Sequence, residues 1–252
     1  MTVLIGVLCE NGVVIGADSS ATSYFPMGSS GQVRTIEQYY EKIEIIDDQV
    51  ILAGTGSMGL GQRFYEVVKN SWRGGEFKKL NSAVDYGKRL SVLGINDFQE
   101  TGLKVGNYGA LAAFPTKGTP TLCELSLSDF QPELKTNRLW YVAMGGGQPI
   151  ADPFLGFIRE IFWEEGAPSR QEGVFAVTWV LEHVIDLNPG GVKGPPHIAT
   201  LFPNSKGIHE ARLLSPEEIS EHQQSVADAK EHLRGFRENI SGKSEAQDIP
   251  KP

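Results

Sequence analysis

Residues 3–8 form a continuous apolar run and residues 13–17 a second, with Glu10-Asn11-Gly12 between them. Asn-Gly between two such runs predicts a β-hairpin, so the chain opens on a buried strand. Residues 23–38 (SYFPMGSSGQVRTIEQ) are mostly polar and contain glycine, and they read as a surface loop. Strands are expected at 42–46 and 49–53, joined at Asp47-Asp48. Gly54-Thr55-Gly56-Ser57 then turns the chain into a helix on which Leu60, Phe64, Val67, Val68 and Trp72 recur at helical spacing. Tyr86, Leu90 and Leu93 mark a second helix over about 81–97. Strands follow at 108–114, 121–127 and 138–143, separated by turn residues. Two helices come next, 149–163 with Phe154, Phe157, Ile158 and Ile161 inward, and 170–187 with Val174, Val177, Leu181 and Val184 inward. After the loop 188–196 come strands at 197–202 and about 207–213. Ser215-Pro216-Glu217-Glu218 is a capping box with proline at the first helical position, so a last helix starts there and fades near Arg237. Residues 239–252 are polar and end in proline, which predicts disorder.

The order ββ, ββ, αα, βββ, αα, ββ, α does not suit alternating parallel βαβ units. It predicts an α+β fold of two antiparallel sheets with helices layered outside. No internal repeat or linker breaks the pattern, and 252 residues suffice to bury a core without staples. With 23 basic against 31 acidic side chains the net charge is −8, which argues against a nucleic-acid partner. The longest apolar stretch, 173–181, is cut by Glu182 and His183 and is too short to span a bilayer. The first residues lack the basic segment of a signal peptide, so no membrane partner and a cytoplasmic location are expected. Cys9 and Cys123 form neither a metal spacing nor a disulfide framework. His183, His197, His209, His222 and His232 are scattered without ligand spacing, so no metal and no cofactor are expected.

Candidate chemistry gathers near the N-terminus. Thr2 becomes the first residue if Met1 is removed, Asp18 stands at the end of the second strand, and Lys42 begins the third. Gly56 closes Ala53-Gly54-Thr55-Gly56. A threonine hydroxyl is a weak nucleophile that needs an adjacent base. A free α-amine, with a reference pKa of about 7.7–8.0, has a neutral fraction that can serve.

Taken in order, Thr2-Val-Leu-Ile-Gly-Val, Gly12-Val-Val-Ile-Gly-Ala-Asp18-Ser-Ser-Ala-Thr22, Lys42-Ile-Glu-Ile and Ala53-Gly-Thr-Gly56 resemble the proteasome β-type subunits of the N-terminal nucleophile hydrolases. Within these the resemblance is nearest to the bacterial proteasome homologue group. It is specific over the first sixty residues and follows element order to about Leu213. It implies a four-layer αββα sandwich over residues 2–214, leaving 215–238 as a C-terminal helical extension and 239–252 as a disordered tail. It further implies a threonine-type peptide hydrolase in which Thr2 is nucleophile and its amine the base. Lys42 favours deprotonation of the hydroxyl, Asp18 holds Lys42, and the Gly56 N–H donates to the oxyanion. Asn188 aligns with a supporting aspartate. A substrate pocket of Ala21, Thr22, Tyr40, Glu44, Gly54 and Met58 is carried over by position. Gly54 leaves that pocket open, and Glu44 near its floor either favours a basic side chain or is simply an outward strand residue. The implied partners are a peptide or unfolded protein substrate and copies of the same chain in stacked rings of six or seven. A regulatory ATPase or other cap is a further partner of such rings.

The sequence departs from that family in three places. The segment between Asp18 and Lys42 is longer. Gly146 stands where the family has a serine that supports the threonine amine, and Asn188 and Gly191 stand where it has an aspartate and a serine. Losing such supporting groups typically costs tenfold or more, by analogy with metal sites. Two other readings therefore stay open: an N-terminal nucleophile amidase for a specialised small amide, and a silent structural ring subunit.

Overall fold

The computed structural model describes residues 1–27, 32–103, 106–163, 166–187 and 190–240, with the side chains of 22–27, 32–37, 238 and 239 excluded. The chain opens with β1 (Leu4–Cys9) and β2 (Gly12–Ala17), every residue of both being buried. Cys9 pairs with Gly12, so the hairpin loop is Glu10-Asn11 and not an Asn-Gly turn. Gly12 answers to packing: a Cβ there would lie 2.4 Å from Cδ1 of Phe202.

The expected loop at 23–38 is instead mostly strand. β3 (Ser20–Met27) and β4 (Gln32–Tyr39) pair antiparallel from Ser20↔Tyr39 to Met27↔Gln32 and form a two-stranded sheet of their own. Tyr24, Phe25, Val33, Thr35 and Ile36 supply the β-branched and aromatic content that favours this pairing. β5 (Ile43–Ile46) and β6 (Val50–Gly56) follow, then α1 (Met58–Arg73) and α2 (Ala83–Glu100). The central strands are β7 (Tyr108–Thr116), β8 (Thr119–Leu125), β10 (Tyr141–Met144) and the unforeseen short β9 (Pro132–Leu134). α3 (Gln148–Phe162), α4 (Arg170–Leu187), β11 (His197–Pro203), β12 (His209–Leu213) and α5 (Pro216–Ile240) complete the order. α5 runs through Ile240, past the expected fade near Arg237 and into the stretch 239–252 expected to be disordered, of which 241–252 lie outside the described residues.

Two antiparallel five-stranded sheets result, one in the order β10-β1-β2-β11-β12 and the other β5-β6-β7-β8-β9. The period-2 alternation of strands explains how the second sheet is covered on both faces. Ile51, Ala53, Leu111, Ala113 and Leu122 join the core shared with the first sheet. Their neighbours Leu52, Ala110, Ala112 and Phe114 pack with Leu60, Phe64 and Val68 of α1 and Leu90 and Phe98 of α2. α4 lies on β1 and β2, with α3 and α5 against it. Each fully buried Val, Leu, Ile or Phe contributes about 1.5–3 kcal/mol. α3 buries Ala151, Leu155 and Ile158, whereas Phe157 and Ile161, expected inward, are 44% and 50% exposed. Its apolar face is wider than its contact face. Among the described residues no helix is long and apolar enough to cross a membrane.

Cys9 and Cys123 are free and buried, and burial pushes both thiols up to about 12, which leaves them inert core residues.

The capping box at Ser215 forms as expected. The Ser215 N–H donates to Glu218 Oε2 at 2.9 Å and the Glu218 N–H to Ser215 Oγ at 3.2 Å. Arg212 adds a fork to the same carboxylate, at 2.8 and 2.6 Å. The Arg212 bonds first, then the Ser215 N–H, hold the Glu218 carboxyl down at about 2 against an ordinary 4.5. A depressed carboxyl stabilises the fold above its unfolded value, and that gain is lost as pH falls through the folded one. The melting-temperature gap between the wild type and Glu218→Gln is thus expected to be open above about pH 4.5 and to close toward pH 2. Because Glu218 is 39% exposed, salt should narrow it.

Candidate active site

β2 ends at the buried Ala17, and the next residue, Asp18, is 0% exposed. A carboxylate taken out of water must be satisfied by donors, and Asp18 has three. Oδ1 accepts from the Val3 N–H at 2.9 Å and from Lys42 Nζ at 2.6 Å, and Oδ2 accepts from the Ser20 N–H at 3.2 Å. Lys42 stands one residue before β5, its carbonyl held by the Gly54 N–H at 3.3 Å. It is 6% exposed, so its ammonium is largely withdrawn from water. Burial lowers its pKa from the ordinary lysine value, with Asp18 opposing the shift. Lys42 Nζ also donates to the Met1 carbonyl at 3.4 Å. The ammonium therefore bridges a buried carboxylate and the peptide unit joining Met1 to Thr2.

Thr2 is held by backbone. Its carbonyl accepts from the Gly147 N–H at 3.1 Å, beside Gly145, whose φ of +88° leaves no room for a side chain: a Cβ would stand 2.4 Å from Thr2 O. Gly146 and Gly190 flank the Met1 side chain, and a Cβ on Gly146 would lie 2.6 Å from its Sδ. The thioether of Met1 thus occupies the space beside Gly146. Gly56 ends β6 with φ +105°. N–H directions alternate along a strand. Since the Gly54 N–H points to Lys42 O, the Gly56 N–H points to the same side, past the start of β5.

Thr2, Lys42 and Gly56 line one cleft of about 290 Å³, together with Ala21, Tyr40, Glu44, Gly54 and Met58. Asp18 sits behind Lys42. Two expected residues are not placed: Asn188 lies outside the described residues, and so does the side chain of Thr22. Gly54 does not leave the pocket open. Tyr108 of β7 occupies that room, and a Cβ on Gly54 would lie 2.3 Å from its Oη.

Sequence reasoning missed Ser20, Gly61, Gln62, Tyr65 and Tyr108, all of which line the cleft. Gly61, Gln62 and Tyr65 stand three, four and seven residues after Met58, the spacing of one helix face, and could have been found from it. Ser20 is buried and its hydroxyl has no partner among the described residues. His183 packs its ring against Phe154 at 4.3 Å between centroids. No group of three or more His, Cys, Asp or Glu side chains is gathered to hold a metal among the described residues.

No family model matches the chain, and no curated protein sequence matches it. Among solved structures it is similar to the Anbu (Gly-1) mutant from Hyphomicrobium sp. strain MC1, with a TM-score of 0.69 at 14% identity over 99% of this chain and 100% of that one. At that identity the likeness is one of fold.

Proposed function

We propose that this chain is a proteasome-like N-terminal nucleophile hydrolase, a threonine-type amide hydrolase that works once removal of Met1 frees the Thr2 amine. The observation that carries the reading is the Lys42 ammonium, 2.6 Å from Asp18 and 3.4 Å from the Met1 carbonyl, at one end of a cleft that Thr2 also lines. The likeness in fold to Anbu supports it. The subunit would be a four-layer αββα sandwich that assembles with copies of itself into stacked rings in the cytoplasm and acts there on peptide or unfolded protein.

In this reading the neutral Thr2 amine takes the hydroxyl proton as Oγ attacks the substrate carbonyl. The Gly56 N–H donates to the oxyanion, typically worth about 3 kcal/mol. The C–N bond breaks, the leaving amine takes the proton, and water then hydrolyses the Thr2 ester with the same amine as base. Lys42 supplies fixed positive charge beside Oγ, and Asp18 holds it. Activity is expected to rise with pH through the amine's pKa, which a neighbouring ammonium sets below its free value. It falls as Lys42 deprotonates, and burial brings that fall below the ordinary lysine value of 10.5.

Intact mass of the purified protein and an electrophilic threonine-directed probe test the proposal. Loss of Met1 and labelling that disappears in Thr2→Ala are the expected results. Retention of Met1 in every preparation would sink it. The second reading, an amidase for a small specialised amide, is favoured by Gly146, which offers no hydroxyl to the amine. Labelled Thr2 without turnover of any peptide would select it.

A further inference from the structure

The cleft continues beyond the catalytic groups, and what lines it there has a chemical character of its own. Lys42 stands one residue before the edge strand β5 and is buried, Glu44 is the second residue of that strand and is exposed, and both line the cleft two residues apart. That places their Cα atoms roughly 6.5 Å apart, comparable to the reach of a four-carbon amine or guanidinium side chain. Across from Glu44 stands the α1 face that carries Met58, Gln62 and Tyr65. Tyr40 lines the cleft from the approach to β5.

The deep wall is Tyr108. Its ring is admitted by two glycines, since a Cβ would meet it at 2.3 Å from Gly54 and at 3.1 Å from Gly61. Phe64, Phe98 and Phe130 fix it, with ring centroids 5.9, 6.0 and 5.9 Å away. Tyr40, Tyr65 and Tyr108 thus line the same cleft as Thr2.

Lys42 and Glu44 are the lysine and glutamate of this lining, and they differ in one respect. Lys42 is paired with Asp18. Glu44 has neither a hydrogen bond nor an ion pair among the described residues. The charges that act on it are Glu41 from its own segment and Glu66 and Lys69 from α1. Lys69 is itself engaged by Glu66 and lies 4.8 Å over the Tyr65 ring. Burial first, then Glu41, raises the Glu44 carboxyl, and Lys69 only partly offsets them. An apolar group seated here would cover this carboxylate without satisfying it. An acidic group would add a further negative charge to Glu41, Glu44 and Glu66. A cation relieves both, because it pairs with Glu44 and presents its charge to aromatic faces.

We propose that this cleft receives a cationic side chain, a lysine, an arginine or a related amine or guanidinium, from the acyl side of the amide attacked by Thr2, with Glu44 as counter-charge and Tyr40, Tyr65 and Tyr108 as walls. The inference rests on the proposed function for the word "attacked", and its test separates the two.

Fluorogenic amides bearing Arg, Lys, Leu or Glu on the acyl side are offered to the full chain and to Glu44→Gln. The wild type is expected to favour Arg and Lys over Leu by about tenfold in kcat/KM, the range of a charge-assisted pair. Glu44→Gln should bring that ratio close to one. In parallel, benzamidine is titrated calorimetrically into both proteins, with binding to Glu44→Gln expected to be at least about fivefold weaker. Turnover with Leu preferred, or benzamidine bound equally by both, overturns the cation site and leaves the hydrolase standing. Glu44-dependent benzamidine binding in a protein whose Thr2 is never labelled overturns the hydrolase and leaves the cation site standing.

Discussion

Replacing Lys42 with alanine is expected to abolish labelling and turnover at Thr2 and, in the same variant, to lower stability by a few kcal/mol. The second effect follows from the pair's burial. Asp18 is 0% exposed, and without Lys42 its charge would be left with only the Val3 and Ser20 N–H groups. Breaking one partner of a buried ion pair typically costs about 3–5 kcal/mol, and the two remaining donors put this case toward the low end. Loss of activity in Lys42→Ala alone would thus mix two causes. The double variant Lys42→Ala with Asp18→Asn separates them. It buries no charge, and Asn can still accept from Val3, so most of the lost stability should return. Activity should not. Chemical denaturation gives the first quantity and probe labelling the second. A double variant that regains both stability and labelling would show that Lys42 acts only as a structural counter-ion. Asp18→Asn alone is expected to weaken activity less than Lys42→Ala while destabilising the fold, because it leaves the Lys42 ammonium buried without its carboxylate.

The residues that were legible in the sequence share a physical property: their surroundings are local. Asp18 directly follows a fully buried strand, Lys42 directly precedes a short strand buried at both ends, and Gly56 lies at a strand-to-helix turn. Apolar runs and glycine punctuation are enough to find such places, and the helix start at Ser215 is equally local, capped by its own side chain. What escaped depends on tertiary register or on strands that no apolar run marks. Tyr108 reaches the cleft only because β6 and β7 pair with Gly56 opposite Tyr108, so nothing near Gly54 in sequence announces it. β3 and β4 pair only with each other among the described residues, and their stretch is mostly polar and carries glycine, so no apolar run marks it as strand. Phe157 and Ile161 misled for another reason, since their helical spacing is sound but they stay 44% and 50% exposed while Ala151, Leu155 and Ile158 carry the contact.

Gly56→Ala is expected to have the second large effect, on the site more than on the fold. Gly56 sits at φ +105°, a conformation that side chains rarely adopt, and a Cβ there would lie 2.3 Å from the Asn107 carbonyl oxygen and 3.0 Å from the Tyr108 Cα. Backbone atoms of a paired strand cannot rotate aside as a side chain would. Relief must come from moving the end of β6, and with it the Gly56 N–H. The same Asn107 carbonyl accepts the Ser57 N–H at 2.9 Å, directly ahead of α1, so the shift also reaches the face that carries Met58 and Gln62. Left-handed strain alone costs about 1–2 kcal/mol. A displaced oxyanion donor lowers kcat by about 10²–10³. Gly102→Ala is the control: Gly102 has φ +71° but nothing within 4 Å of a Cβ, so it carries the conformational strain without the collision. The expected outcome is that both variants melt at lower temperature, Gly56→Ala the more so, and that only Gly56→Ala loses turnover. Equal activity in the two would mean that the Gly56 N–H takes no part in the chemistry.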